Sequence, residues 1–114
     1  MNTFRVLLIV LCLTIAIYTG AVIAKLGINL LPIFFGDIAT LTWPGQFNLD
    51  FLCLLTLSGL WVSWRHDFSA SGLALGLLAL FLGASFLTIY LLILSYQTKG
   101  NMKELLLGKA RAKA

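Results

Sequence analysis

One acidic side chain stands out by its position. Asp50 lies inside an apolar stretch, with Gln46 one helical turn before it on the same face. A carboxylate in a bilayer costs ~2.5–3.5 kcal/mol at mid-membrane on insertion scales, less near the edge, so it should face protein or water and take a partner. The available partners are Tyr18, Ser85, Thr88 and Lys25. Together with Asp50 and Gln46 they make up the polar membrane cluster the sequence suggests. Such a cluster could transfer protons, bind an ion, or simply hold helices together at ~0.6 kcal/mol per hydrogen bond. A single acid is not a general acid–base couple, so no catalytic residue is assigned. Asp37 is the one further acid that could approach Asp50 from the same membrane side. His66, the only histidine, falls in a polar turn far from Asp50 and reads as a solvated side chain. Cys12 and Cys53 sit in apolar runs, where a thiol packs as a small hydrophobe. No metal site or cofactor is expected.

The elements that must carry these residues follow from composition. Of 114 residues, 61% are hydrophobic and 11% charged, against ~25% charged in an average soluble domain. A soluble fold this short could not bury so much apolar surface. An ordinary cytosolic enzyme, a disordered tail and a collagen-like rod are excluded. The reading is an all-α integral membrane protein, a single membrane domain over 1–114 with three transmembrane helices at about 4–26, 44–64 and 70–96. The first run reaches ~34 Å, enough for a ~30 Å hydrocarbon core and longer than a signal peptide's apolar region, so it is read as a retained span. The second covers ~30 Å, with Trp43 at one end and Trp61 and Trp64 at the other, as headgroup-level tryptophans should be. Between these two spans, Pro32 and Gly36 break the apolar segment 27–42, which is expected to lie interfacially or re-entrantly against the helices.

The net charge is +4, and Lys99, Lys103, Lys109, Arg111 and Lys113 crowd the end of the chain. Residues 99–114 read as a basic cytoplasmic tail drawn to anionic headgroups, with Leu105, Leu106 and Leu107 touching lipid. No nucleic-acid signature accompanies it. Three crossings put Arg5 and the Arg65 turn on one side, and Lys25 and the tail on the other. The positive-inside rule then places the N-terminus outside and the C-terminus in the cytoplasm. On that topology Asp50 lies ~9 Å from the cytoplasmic boundary, Tyr18 at the same depth, and Ser85 and Thr88 nearby. Lys25 could reach down to Asp50 or snorkel to the headgroups.

Two stripes of small residues suggest helix contacts. Gly72, Gly76, Ala79 and Gly83 line one face of the third span, and Ala16, Gly20 and Ala24 one face of the first. Small side chains let backbones approach closely in lipid, but they do not say whether the partner is internal or another subunit. Three helices can cover only some of these faces, so a homo-oligomer or a larger membrane complex is expected, with membrane lipids around it.

Trp43-Pro44, Asp50-Phe51, Leu60-Trp61-Val62, Gly83 and Thr88-Ile89-Tyr90 are the features in which the stretch 40–107 resembles a group of small multi-pass membrane proteins of unknown function from bacteria and plants. The resemblance implies about three spans with an Asp-bearing second helix, and no activity. The function expected is that of a structural or accessory membrane subunit acting through helix packing. One alternative is a small transporter or proton-coupled permease subunit using Asp50. Another is a membrane enzyme acting on a lipid or isoprenoid, with Asp50, Tyr18, Trp43, Phe47 and Trp61 around an apolar pocket.

Overall fold

The computed structural model describes residues 2–113. Every regular element among these residues is helical: α1 (Asn2–Leu26), α2 (Leu31–Ala39), α3 (Trp43–Arg65), α4 (Ala70–Leu82), α5 (Ala84–Gln97), α6 (Met102–Leu107) and α7 (Lys109–Ala112). Two of them, α1 and α3, are long and apolar enough to cross a membrane.

The segment between the first two long helices is more regular than its breakers suggest. Pro32 falls in the first turn of α2, where its missing N–H leaves nothing unpaired, and the helix runs on through Gly36. Leu31–Ala39 then folds back along the start of α3. Gly45 of α3 sits against the carbonyl of Asp37, where a Cβ would stand 2.9 Å from the Ile38 Cα. Asn48 Nδ2 donates to the Phe34 carbonyl at 3.1 Å. The expected packing of this segment on the helices is therefore met by a short helix.

The third apolar run departs most from expectation. Over 70–96 the chain forms not one helix but two, of 13 and 14 residues, joined at Gly83. Gly83 has φ 61° and ψ −134°, a mirror-image extended conformation that only glycine adopts freely. Ser69 opens α4 by accepting a hydrogen bond from the Gly72 amide, as an N-cap serine does. From there α4 packs antiparallel on α3, with Gly72 against His66, Gly76 against Gly59 and Ser63, and Gly83 against Phe51 and Leu55. α5 then turns back. Tyr90 Oη lies 2.7 Å from His66 Nε2, although a straight helix would carry Tyr90 ~27 Å past Gly72. The run is thus a hairpin of two arms, each ~20 Å long and too short to cross a ~30 Å hydrocarbon core. The expected third crossing at 70–96 is replaced by this hairpin.

Helix α1 packs antiparallel on α5 near its own N-terminus, where Arg5 reaches Ser95. The chain after Lys99, expected as a surface tail, instead folds over the same end of the molecule. Leu105 of α6 is fully buried, in a core with Val62, Ala79, Tyr90 and Leu94. The start of α1, the turn after Arg65 and the two C-terminal helices therefore share one end. This corrects the opposite placement of the two termini, which followed from treating 70–96 as one straight helix. Arg5, Arg65, Lys99, Lys103, Lys109, Arg111 and Lys113 gather at that end, and Lys25 alone stands at the other.

Candidate functional site

The fold does not join the suggested polar cluster by hydrogen bonds or ion pairs among the described residues. Asp50 and Gln46 are exposed on α3, and Lys25 is exposed at the end of α1. Tyr18 is 70% exposed on α1, a helix that packs on α5 rather than α3. Thr88 is buried, but its hydroxyl donates to the Ala84 carbonyl one turn back in its own helix. Ser85 is half-buried in the first turn of α5. The depth matching assumed that the third span ran straight. Once it turns at Gly83, its later residues climb towards the opposite end. Trp43 and Gln46 line a hollow of about 470 Å³ beside the α2–α3 turn, while Asp50, Tyr18 and Trp61 do not.

The two small-residue stripes fare differently. Gly72, Gly76, Ala79 and Gly83 are all buried, and three of the four meet a matching stripe on α3 formed by Phe51, Leu55, Gly59, Ser63 and His66. That α3 stripe repeats every three or four residues, and its glycine was the signal of an internal partner. Ala16, Gly20 and Ala24 on α1 are exposed, and a Cβ on Gly20 would meet nothing within 4 Å.

The structured polar groups lie instead at the charged end, on side chains that were read as topology signals. Trp61 and Arg65 are one turn apart on α3 and share a face. Trp61 Nε1 donates to the Leu106 carbonyl at 3.1 Å, and Arg65 Nε to the Leu105 carbonyl at 2.6 Å. Helix α6 has no continuing turn to satisfy those carbonyls, so α3 side chains do it. Arg111 of α7 donates to the Trp64 carbonyl, pairs with the Asp67 carboxylate and lies over the Trp64 ring at 3.9 Å. Arg5 does the equivalent for α5, donating to the Ser95 hydroxyl and carbonyl and lying 4.0 Å from the centre of the Tyr96 ring. Arg111 and Arg5 thus each fasten one helix to another while the charge rests on an aromatic face. The i, i+4 pairing of Trp61 and Arg65 was the available clue.

His66 is also part of this arrangement rather than solvated. It caps α3, is half-buried, and meets the Tyr90 hydroxyl. Burial, and then the Arg65 guanidinium beside it, hold its imidazole below the ordinary value, while Asp67 pulls weakly the other way. Tyr90 in turn stacks on Phe86 and meets Trp61 edge-on.

Beside this pair a cleft of about 450 Å³ lies between the two hairpin arms. Its walls are Leu75 and Leu82 from α4 and Phe86, Ile89 and Ile93 from α5, with Ser85 beside the Gly83 turn, His66 and Tyr90 partway up and Gln97 at the far end. The volume falls in the usual range for small-molecule sites. Among the described residues no three His, Cys, Asp or Glu side chains converge as metal ligands would. No protein family, curated protein or solved structure matches this chain.

Proposed function

We propose that the chain is a small integral membrane protein that works as a structural or accessory subunit, and that α1 is the helix it offers to a partner. The observation that carries this reading is the exposure of α1. Of its 25 residues only Leu8 is buried, and its stripe of Ala16, Gly20 and Ala24 is open to close approach by another helix. In lipid, small-residue faces associate through backbone proximity and van der Waals contact. Either a second copy or a larger subunit would fit that face.

On this reading the end bearing seven of the eight basic residues faces the cytoplasm. Both the start of α1 and the C-terminal helices then lie on the cytoplasmic side, and Lys25 with α2 on the other. The two helices long and apolar enough to cross a membrane support the membrane setting and imply no activity. The permease reading is weaker, because Asp50 is exposed on α3 with no hydrogen bond or ion pair among the described residues.

Cysteine cross-linking in native membranes tests the proposal. A Gly20→Cys variant should give a disulfide-linked dimer or a cross-link to a stoichiometric partner, and Gly20→Ile should abolish the association. A strictly monomeric particle, with no cross-link from Gly20→Cys, would remove the basis for the accessory role.

A further inference from the structure

We propose that the cleft between α4 and α5 holds one acyl chain of an anionic phospholipid, with the headgroup at its Gln97 end.

Three observations converge on that occupant. The first is the distribution of polarity. Leu75, Leu82, Phe86, Ile89 and Ile93 make the walls apolar; Ser85 is the one polar residue at the foot, His66 and Tyr90 partway up are paired with each other, and Gln97 stands at the far end. A soluble metabolite would need polar partners along its length; a hydrocarbon chain needs them only where its headgroup begins. The second is length. From Ser85 to Gln97 the wall rises ~18 Å, close to one leaflet of a ~30 Å hydrocarbon core. The arms end at Gly83, about where such a chain would end. The third is charge. The head lies at the end where seven of the eight basic residues collect. Arg111 is paired with Asp67, and Arg5 and Arg65 are committed to carbonyls. Lys99 is exposed two residues beyond Gln97, with no ion pair among the described residues. It can meet a phosphodiester, as headgroup-level lysines do.

The inference rests on the membrane setting of that reading but not on the accessory role, since the cleft lies between α4 and α5 and the small-residue stripe lies on α1. Loss of cross-linking through Gly20 would leave the lipid site standing, and the reverse also holds.

The full chain reconstituted in discs of mixed phosphatidylcholine and phosphatidylglycerol provides the test, read by native mass spectrometry after release. One phosphatidylglycerol per chain should be retained in preference to phosphatidylcholine. Ile93→Trp, which fills the cleft from a half-exposed position, should lower retention several-fold with helical content unchanged. A phosphatidylglycerol bearing a photoreactive group on its acyl chain should label Leu75, Phe86 or Ile89 of the unaltered protein, which decides the matter even if the tryptophan variant does not fold. Equal retention of the two lipids, unchanged retention in a folded Ile93→Trp, labelling confined to the outer faces of α1 and α3, or a second copy of the chain in the cleft would each overturn the proposal.

Discussion

Gly76 of α4 lies against Gly59 of α3, so closely that a Cβ on Gly59 would stand 2.9 Å from the Gly76 carbonyl oxygen. The neighbour there is backbone, which cannot swing aside. Alanine ordinarily favours a helix over glycine by ~1 kcal/mol. Overpacking costs ~1–3 kcal/mol and should outweigh that gain here. Gly59→Ala is therefore expected to lower the thermal midpoint in detergent. Gly20→Ala, with nothing within 4 Å, should leave it unchanged or raise it. Equal midpoints for the two variants would mean that α3 and α4 do not meet through this pair.

The hairpin predicts which parts of the chain are reached from each side of a membrane. Single cysteines replacing Asn2, Asp67 and Lys113, introduced after removal of Cys12 and Cys53, should react with an impermeant reagent from the same side. A cysteine replacing Lys25 should react from the other. Labelling of Asn2 and Lys113 from opposite sides would show that 70–96 crosses the bilayer as one helix and that the turn at Gly83 is not retained in lipid.

Arg65 holds α6 by two carbonyls, those of Leu105 and Glu104, at 2.6 and 3.3 Å. A hydrogen bond from a charged donor contributes ~1.5–3 kcal/mol, less where it is partly exposed. Arg65→Lys keeps the charge and loses the two-pronged donor. It should free α6 and α7, seen as faster tryptic cleavage after Lys103 and Lys109, while the α1–α5 contact through Arg5 persists. Unaltered cleavage would show that burial of Leu105 alone anchors the segment.

His66 makes stability depend on pH in one direction. Its folded value is held below the ordinary 6.5, chiefly by burial. As pH falls past 6.5, the unfolded chain takes up a proton that the folded chain resists. Stability should therefore be full above that point and decline as pH drops towards the folded value. It is the only histidine in the sequence. His66→Gln keeps a hydrogen-bonding group for Tyr90 and should flatten the thermal midpoint across this window. A slope that survives the substitution would assign the effect to another group.

Composition alone was enough for the all-helical class and for α1 and α3, because long unbroken apolar runs have few other ways to satisfy their backbone. The small residues of α4 were legible as a contact face from their spacing, since a period of three to four residues places them on one side whatever they touch. The turn at Gly83 was not. Its one visible sign was excess length, since 27 residues would span ~40 Å where ~30 Å suffices. Whether a glycine in such a run stays helical or reverses depends on what waits for it, here Phe51 and Leu55 of α3 and, further on, the His66–Tyr90 contact. Those contacts join residues far apart in the chain, so no local pattern encodes them. The tertiary structure alone decided that Asp50, Tyr18 and Lys25 share no hydrogen bond or ion pair among the described residues, that the basic tail docks on Trp61 and Arg65, and that a cleft lies between the two hairpin arms.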